Sequence, residues 1–318
     1  MEFRTPVDIA TPPFAIHPSD ELLFVGSCFA DGIGRRFVEE RFRATVNPYG
    51  VMYNPVSVLH TVERFLCNNP QAQPTIALFT LGTNHVYRLN ATGEIVDNCQ
   101  KRPASLFTEQ QLSVDECVKA LQQAIALLRQ RQPQVGIMLT VSPIRYRKYG
   151  YHGSQLSKAT LLLAVETLLR QYAATVPDDF AIGGAAATVP DGFAVGEAAP
   201  PLYYFPAYEI VLDELRDYRF FAADMLHPTQ QAVDYIWERL ADSCLAPEAR
   251  QMMADWKPLK AALAHRPLNP DSDEYRRFEE QTRQRLEAFN RKYPYTPLPP
   301  SVLATTSRQQ SVSAGFPR

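Results

Sequence analysis

The spacing of apolar residues along this chain switches repeatedly between two periods. Leu22-Leu23-Phe24-Val25 is an unbroken apolar run of strand length, after which Phe29, Ile33 and Phe37 recur at helical spacing. The alternation continues downstream. Residues 56–66 read as a helix ended by Asn68, Asn69 and Pro70, and residues 75–81 form a second apolar strand. Val114, Cys117, Val118, Leu121, Ile125 and Leu128 make a helical stripe over 113–130 that leads into a third strand at 135–141. A helix over 154–172, a strand at 202–205 and a helix carrying Val233, Ile236, Trp237 and Leu240 follow. Strands that alternate with helices in this way predict an α/β fold on a mainly parallel sheet. Residues 86–89 and 94–96, separated by Asn90-Ala91-Thr92-Gly93, predict a small hairpin outside that series.

Two segments break the pattern. Ala174-Thr175-Val176-Pro177-Asp178-Asp179-Phe180-Ala181-Ile182-Gly183 recurs as Ala187-Thr188-Val189-Pro190-Asp191-Gly192-Phe193-Ala194-Val195-Gly196. Two copies are too few to stack as a solenoid, so 174–198 reads as a duplicated surface loop. Beyond residue 245 the sequence becomes strongly charged, with helices over 256–264 and 274–292, and 294–318 is rich in Pro, Ser and Thr, a composition that predicts disorder at the end. The organisation expected is one α/β domain over 1–245 and a helical extension over 246–318.

Composition narrows the function classes. The 318 residues are 46% apolar and 21% charged, enough for a large core, and the formal net charge of -2 gives no electrostatic reason to expect nucleic acid. The first residues lack a basic region followed by an apolar segment, and no apolar run reaches membrane-spanning length, so a cytoplasmic protein without a membrane partner is expected. Cys28, Cys67, Cys99, Cys117 and Cys244 are scattered and odd in number, which favours neither a disulfide framework nor a zinc site.

Candidate chemistry lies at two strand-to-helix transitions. Gly26-Ser27-Cys28 joins the first strand to the first helix, where a small-residue turn can raise a nucleophile above the sheet edge beside unpaired N–H groups. Cys28 and Ser27 are adjacent, and a thiol near a helix N-terminus and an imidazole is expected to ionise readily. Asp224 precedes His227 by three residues just before Pro228 and the last helix of the domain, spacing that lets the carboxylate bond Nδ1 and leaves Nε2 as a base. Gly50, in the irregular stretch from Asn47 to Pro55, can bring its N–H close to a bound group. Asn84, just past the second strand, can turn its amide toward the same crevice. His85 reads as a surface or supporting residue, and Arg145, Arg147, Lys148 and His152 as either a solvated loop or a contact for an anionic substrate.

The string Gly26-Ser27-Cys28-Phe29-Ala30 resembles the motif that names the GSCFA-domain family, relatives of the SGNH (GDSL-type) hydrolases. Asn47-Pro48-Tyr49-Gly50-Val51-Met52-Tyr53-Asn54-Pro55, Asp97-Asn98-Cys99-Gln100-Lys101, Val141-Ser142-Pro143-Ile144-Arg145 with Leu156-Ser157-Lys158-Ala159, and Tyr204-Phe205-Pro206-Ala207-Tyr208-Glu209 extend the resemblance in the same order, from about residue 20 to about residue 240. The duplication at 174–198 departs from it. The resemblance implies a three-layer α/β/α sandwich and an esterase or acyl-transfer activity that requires no cofactor. It also implies a small-molecule or glycan ester as substrate, Asp224 and His227 as orienter and base, and Gly50 and Asn84 as oxyanion donors. Matching both glycines of the block Gly-Asp-Ser-Ile/Leu-Thr-x-Gly places Cys28 on the nucleophile, whereas a shift of one places Ser27 there, and both stay open. A binding module that keeps the fold without turnover, recognising acylated glycans or a protein, is the alternative.

Overall fold

The computed structural model describes residues 4–97, 99, 102–173 and 201–297. The duplicated segment 174–198, the Pro/Ser/Thr-rich end from 298 and positions 98, 100 and 101 lie outside the described residues. In chain order, β1 (Glu21–Gly26) leads into α1 (Cys28–Glu39), then β2 (Arg43–Val46), α2 (Pro55–Asn68), β3 (Ile76–Leu81) and β4 (His85–Leu89). After β5 (Ile95–Val96) and β6 (Phe107–Gln111) come α3 (Val114–Arg131), β7 (Gly136–Val141), α4 (Gly150–Ala173) and β8 (Leu202–Tyr204). A short α5 (Ala207–Glu209), α6 (Gln230–Cys244), α7 (Pro247–Ala264) and α8 (Asp273–Lys292) complete the chain.

One sheet has the order β2-β1-β3-β7-β8, and its neighbours pair in parallel throughout. Alternate strand residues divide between two cores. Leu22 and Phe24 of β1, Ile76 and Leu78 of β3 and Met138 of β7 face a core that includes Phe29, Ile33 and Phe37 of α1 and Ile236 and Leu240 of α6. Leu23, Val25, Ala77, Phe79, Ile137 and Leu139 face the other, with Val58 and Val62 of α2, Leu121 and Ile125 of α3 and Leu161 and Val165 of α4. Helices thus cover both faces, giving the three layers expected. No helix among the described residues is long and apolar enough to cross a membrane.

β2 and β6 are absent from the sequence-based expectation. β2 is a four-residue edge strand without a fully buried position, and β6 is Phe-Thr-Glu-Gln-Gln, nearly all polar. Neither carries the apolar run or alternation that marks a strand. β6 joins the expected hairpin as a third antiparallel strand, in the order β5-β4-β6.

The region after residue 245 packs into the first core. Trp256 and Leu259 of α7 and Leu286 and Phe289 of α8 are buried in the same cluster as Phe37 and Ile236. Trp256 Nε1 donates to the Glu39 carbonyl at 2.8 Å, and the guanidinium of Arg41 lies 4.6 Å from the Trp256 ring and 5.6 Å from the Phe289 ring. Arg41 holds a positive φ of 72° and donates to Asn290 Oδ1, so the turn that leaves α1 is shaped around α7 and α8. Burial draws the guanidinium down to about 10. Trp256→Ala is expected to cost about 3–5 kcal/mol. It should lower the urea midpoint of a single unfolding transition, because these helices share the core of the sheet.

Candidate active site

β1 ends against β3 at unusually short range. Gly26 has φ +150°, and a Cβ built on it would overlap the Thr80 carbonyl and hydroxyl, so glycine alone fits without displacement. Its N–H donates to Asn47 Oδ1 at 2.8 Å and its carbonyl accepts from Met52 N–H at 2.8 Å. Thr80 then takes the next amide, the Ser27 N–H donating to Thr80 Oγ1 at 2.9 Å and to its carbonyl at 3.2 Å.

Ser27 and Cys28 diverge at this point. Ser27 is the N-cap of α1, fully buried, with its Oγ accepting from Phe29 N–H at 3.3 Å and lying 3.2 Å from Thr80 Oγ1. Cys28 is the first helical residue and half-buried, and its Sγ lies 3.7 Å from His227 Nε2. The hydroxyl therefore faces the β3 contact, and the thiol faces the imidazole.

His227 sits in a turn that organises itself. Asp224 Oδ1 accepts from Leu226 N–H at 2.9 Å and from His227 N–H at 3.0 Å, while Oδ2 takes His227 Nδ1 at 2.5 Å. Met225 absorbs the reversal with φ 60°. Those two backbone donors, followed by the imidazole, hold the Asp224 carboxyl far below the usual carboxylate range. An ionised Oδ2 keeps the ring proton on Nδ1, so the neutral imidazole presents Nε2 to the thiol as an acceptor. α6 begins at Gln230, two residues later than a start at Pro228. Thr229 caps α6 with a hydroxyl that accepts from Ala232 N–H, while Pro228 bridges Phe221 in the turn before it. α6 is held on α1 by an ion pair between Arg36 and Asp234 and by the Phe37 and Trp237 rings, whose centroids lie 4.8 Å apart.

The thiol is not the low-pKa group its position suggests. Burial pushes Cys28 above the ordinary thiol range and the Asp31 charge adds to this, outweighing the N–H groups of Cys28 and Phe29 and the charge of Lys158, which favour the thiolate. Asp31 is fixed by the Asn47 amide at 2.6 Å, the same side chain that holds Gly26.

Gly50 and Asn84 have their donors engaged elsewhere. The Gly50 N–H, at φ +93°, closes a turn onto the Asn47 carbonyl at 2.9 Å. The buried Asn84 amide donates to the Leu112 carbonyl at 2.7 Å, and the Asn84 N–H donates to Ser157 Oγ at 3.0 Å. His85 is buried rather than at the surface, with Nδ1 2.7 Å from Glu109 and its ring stacked 3.6 Å from Tyr149. In the basic loop Lys148 pairs with Glu109 at 3.0 Å, and Arg147 and His152 are exposed.

Asn47 and Thr80 carry much of this arrangement without having stood out in the sequence. Thr80 is a lone polar residue in an apolar strand, which is a readable signal. Asn47 acts through contacts with residues 16 and 21 positions away that no local pattern reveals.

The raised thiol sets a pH dependence for alkylation. Below its pKa the thiolate fraction falls about tenfold per pH unit, so iodoacetamide should label Cys28 slowly at neutral pH and progressively faster as pH rises. Cys117 and Cys244, pushed by burial up to about 12 and about 11, should stay unlabelled in the folded protein. Peptide mass spectrometry across pH 6 to 10 reads this directly, and fast labelling of Cys28 at pH 6 would show an ionised thiol instead.

Solved structures similar to this chain include a carbohydrate esterase family 3 from Talaromyces cellulolyticus, at 10% identity and a TM-score of 0.37, covering 74% of this chain and 99% of that one. A family 3 carbohydrate esterase from Clostridium thermocellum is 11% identical with a TM-score of 0.37, covering 77% and 99%. An acetyl esterase mutant with an acetate ion is 10% identical with a TM-score of 0.38, covering 74% and 99%. No curated protein was found to match the chain. The model of the GSCFA family matches residues 21–77 and 67–240, and that of the GSCFA domain protein, C-terminal domain, matches residues 256–299. The chain belongs to the GSCFA family.

Proposed function

We propose that this protein cleaves or transfers acyl esters through Cys28, with His227 as general base and Asp224 as its orienter. The observation that carries the reading is the line of contacts from Cys28 Sγ through His227 Nε2, at 3.7 Å, to Asp224 Oδ2, at 2.5 Å from Nδ1. Nucleophile, base and orienter in that sequence are what covalent acyl transfer requires. Ser27 lacks the contact, because its hydroxyl caps α1 and meets Thr80.

The reaction follows from the protonation states. As Sγ bonds to the ester carbonyl carbon, its proton passes to His227 Nε2 and the carbonyl π pair moves onto oxygen. Collapse breaks the carbon–oxygen bond to the alcohol, which leaves with the proton from His227. Water, or an acceptor alcohol, then attacks the thioester by the same proton route and releases the acyl group. The N–H groups of Cys28 and Phe29 face the sulfur and favour charge there.

Assays with p-nitrophenyl acetate and butyrate test the reading. Cys28→Ala and His227→Ala should lose several orders of magnitude in kcat, keeping only what binding and oxyanion donors supply, and Asp224→Asn should lose up to about 10⁴-fold. Ser27→Ala should keep its turnover while losing about 0.5–2 kcal/mol of stability with the N-cap. Equal rates for wild type and His227→Ala would remove the enzyme reading for these esters. An inactive Ser27→Ala beside an active Cys28→Ala would transfer the attack to the hydroxyl.

A further inference from the structure

Resting on the acyl-transfer reading, we propose that Tyr146 is a catalytic residue, its hydroxyl donating to the oxyanion formed when Cys28 attacks. Tyr146 Oη is buried and has no hydrogen-bond partner among the described residues. A buried hydroxyl without a partner is destabilising by about 1–3 kcal/mol, and although those of Ser57, Thr61 and Thr140 share the property, Tyr146 differs in its place beside the strand end next to Cys28.

The position of this hydroxyl relates it to the thiol. It lies directly against the Cα of Gly82, just beyond the carboxyl end of β3, where a Cβ would displace it. Ligands of parallel sheets bind at that edge, and Cys28 stands just beyond the end of the adjoining β1. Gly26 pairs with Thr80, so Cys28 and Gly82, against which the Tyr146 hydroxyl rests, each lie two residues past paired positions of adjoining strands. Burial holds the phenol well above its ordinary value, so it is a neutral donor across the whole working pH range.

The ring is held on several sides. The Tyr146 N–H donates to Ser154 Oγ at 3.2 Å, and Tyr53 packs edge-on against the ring with centroids 5.7 Å apart. Lys158 Nζ lies 5.3 Å from the ring centroid and donates to the carbonyls of Gly82 at 2.6 Å and Ser142 at 2.7 Å. This fully buried amine thereby joins the ends of β3 and β7 beneath the tyrosine. A donor fixed before the substrate arrives is the arrangement that stabilises an oxyanion without reorganisation. With the Gly50 N–H bonded to Asn47 and one Asn84 amide hydrogen given to the Leu112 carbonyl, the Tyr146 hydroxyl is a donor without a partner near this edge.

Tyr146→Phe, compared with wild type and His227→Ala on p-nitrophenyl acetate, tests the assignment. Phenylalanine keeps the ring and removes an oxygen that bonds nothing in the resting protein, so the melting temperature should hold or rise. The expected result is a fall of about 10²–10³-fold in kcat with KM little changed. A trifluoromethyl ketone, which adds to a thiol as a tetrahedral adduct, should lose affinity by a comparable factor. Wild-type kcat in Tyr146→Phe beside an inactive His227→Ala would overturn the role of Tyr146 and leave the Cys28 mechanism standing. Wild-type kcat in His227→Ala would overturn the mechanism, and the role of Tyr146 with it. A destabilised Tyr146→Phe that still binds the ketone as tightly as wild type would also overturn the proposal, because the hydroxyl would then act in folding and not on the oxyanion.

Discussion

The close approach of Gly26 to Thr80 is the constraint from which the rest of the site follows. Because a side chain at position 26 would overlap Thr80, the backbone of β1 can leave the sheet immediately beside β3. The two Thr80 oxygens then take the Ser27 N–H, and the Ser27 hydroxyl turns back to cap α1. Once Ser27 is fixed inward, the first turn of the helix directs Cys28 to the other side, where it meets His227. An alanine at 26 would disturb the placement of Cys28 beside His227 through this chain of contacts.

The second half of the site has its own internal order, and the core connects the two. Asp224 binds two backbone amides and the imidazole of one short turn, so the tautomer of His227 is set locally. What is not local is the distance from that turn to the thiol. It depends on α6 lying against α1, through Arg36 with Asp234 and Phe37 with Trp237. Phe37 also belongs to the core that receives Trp256 and Phe289, which makes α7 and α8 a backing for α1 rather than a separate body.

These dependencies explain what the sequence disclosed. The central strands were legible because residues such as Phe24 and Phe79 are buried in a sheet covered on both faces, which requires continuous apolar runs. Asp224 and His227 were legible because their interaction spans three residues. Which of Ser27 and Cys28 faces His227 was not, since both readings of the motif are chemically sensible and the Thr80 and His227 contacts that distinguish the two side chains are tertiary. Gly50 and Asn84 were named as donors from their place in the chain together with the resemblance to SGNH hydrolases. Whether a donor is free depends on its partners, the Asn47 and Leu112 carbonyls, which are set by tertiary packing. Tyr146 carries no motif at all and emerges only from an unmatched oxygen.

The electrostatics around the sulfur favour a resting state with little separated charge. Burial keeps the Cys28 thiol and the Tyr146 phenol protonated, and it draws the Lys158 amine well below its ordinary value. The Asp224 carboxylate stays ionised because it remains half-exposed and bonded to amides. Burial of the sulfur therefore opposes a resting thiolate at Cys28. In the proposed reaction, charge would develop with the attack itself, as the proton reaches Nε2 and electron density reaches the substrate oxygen. Groups that cannot stabilise a resting thiolate strongly can still stabilise that intermediate, because a dipole held in a low-dielectric crevice acts most on charge that forms within its reach.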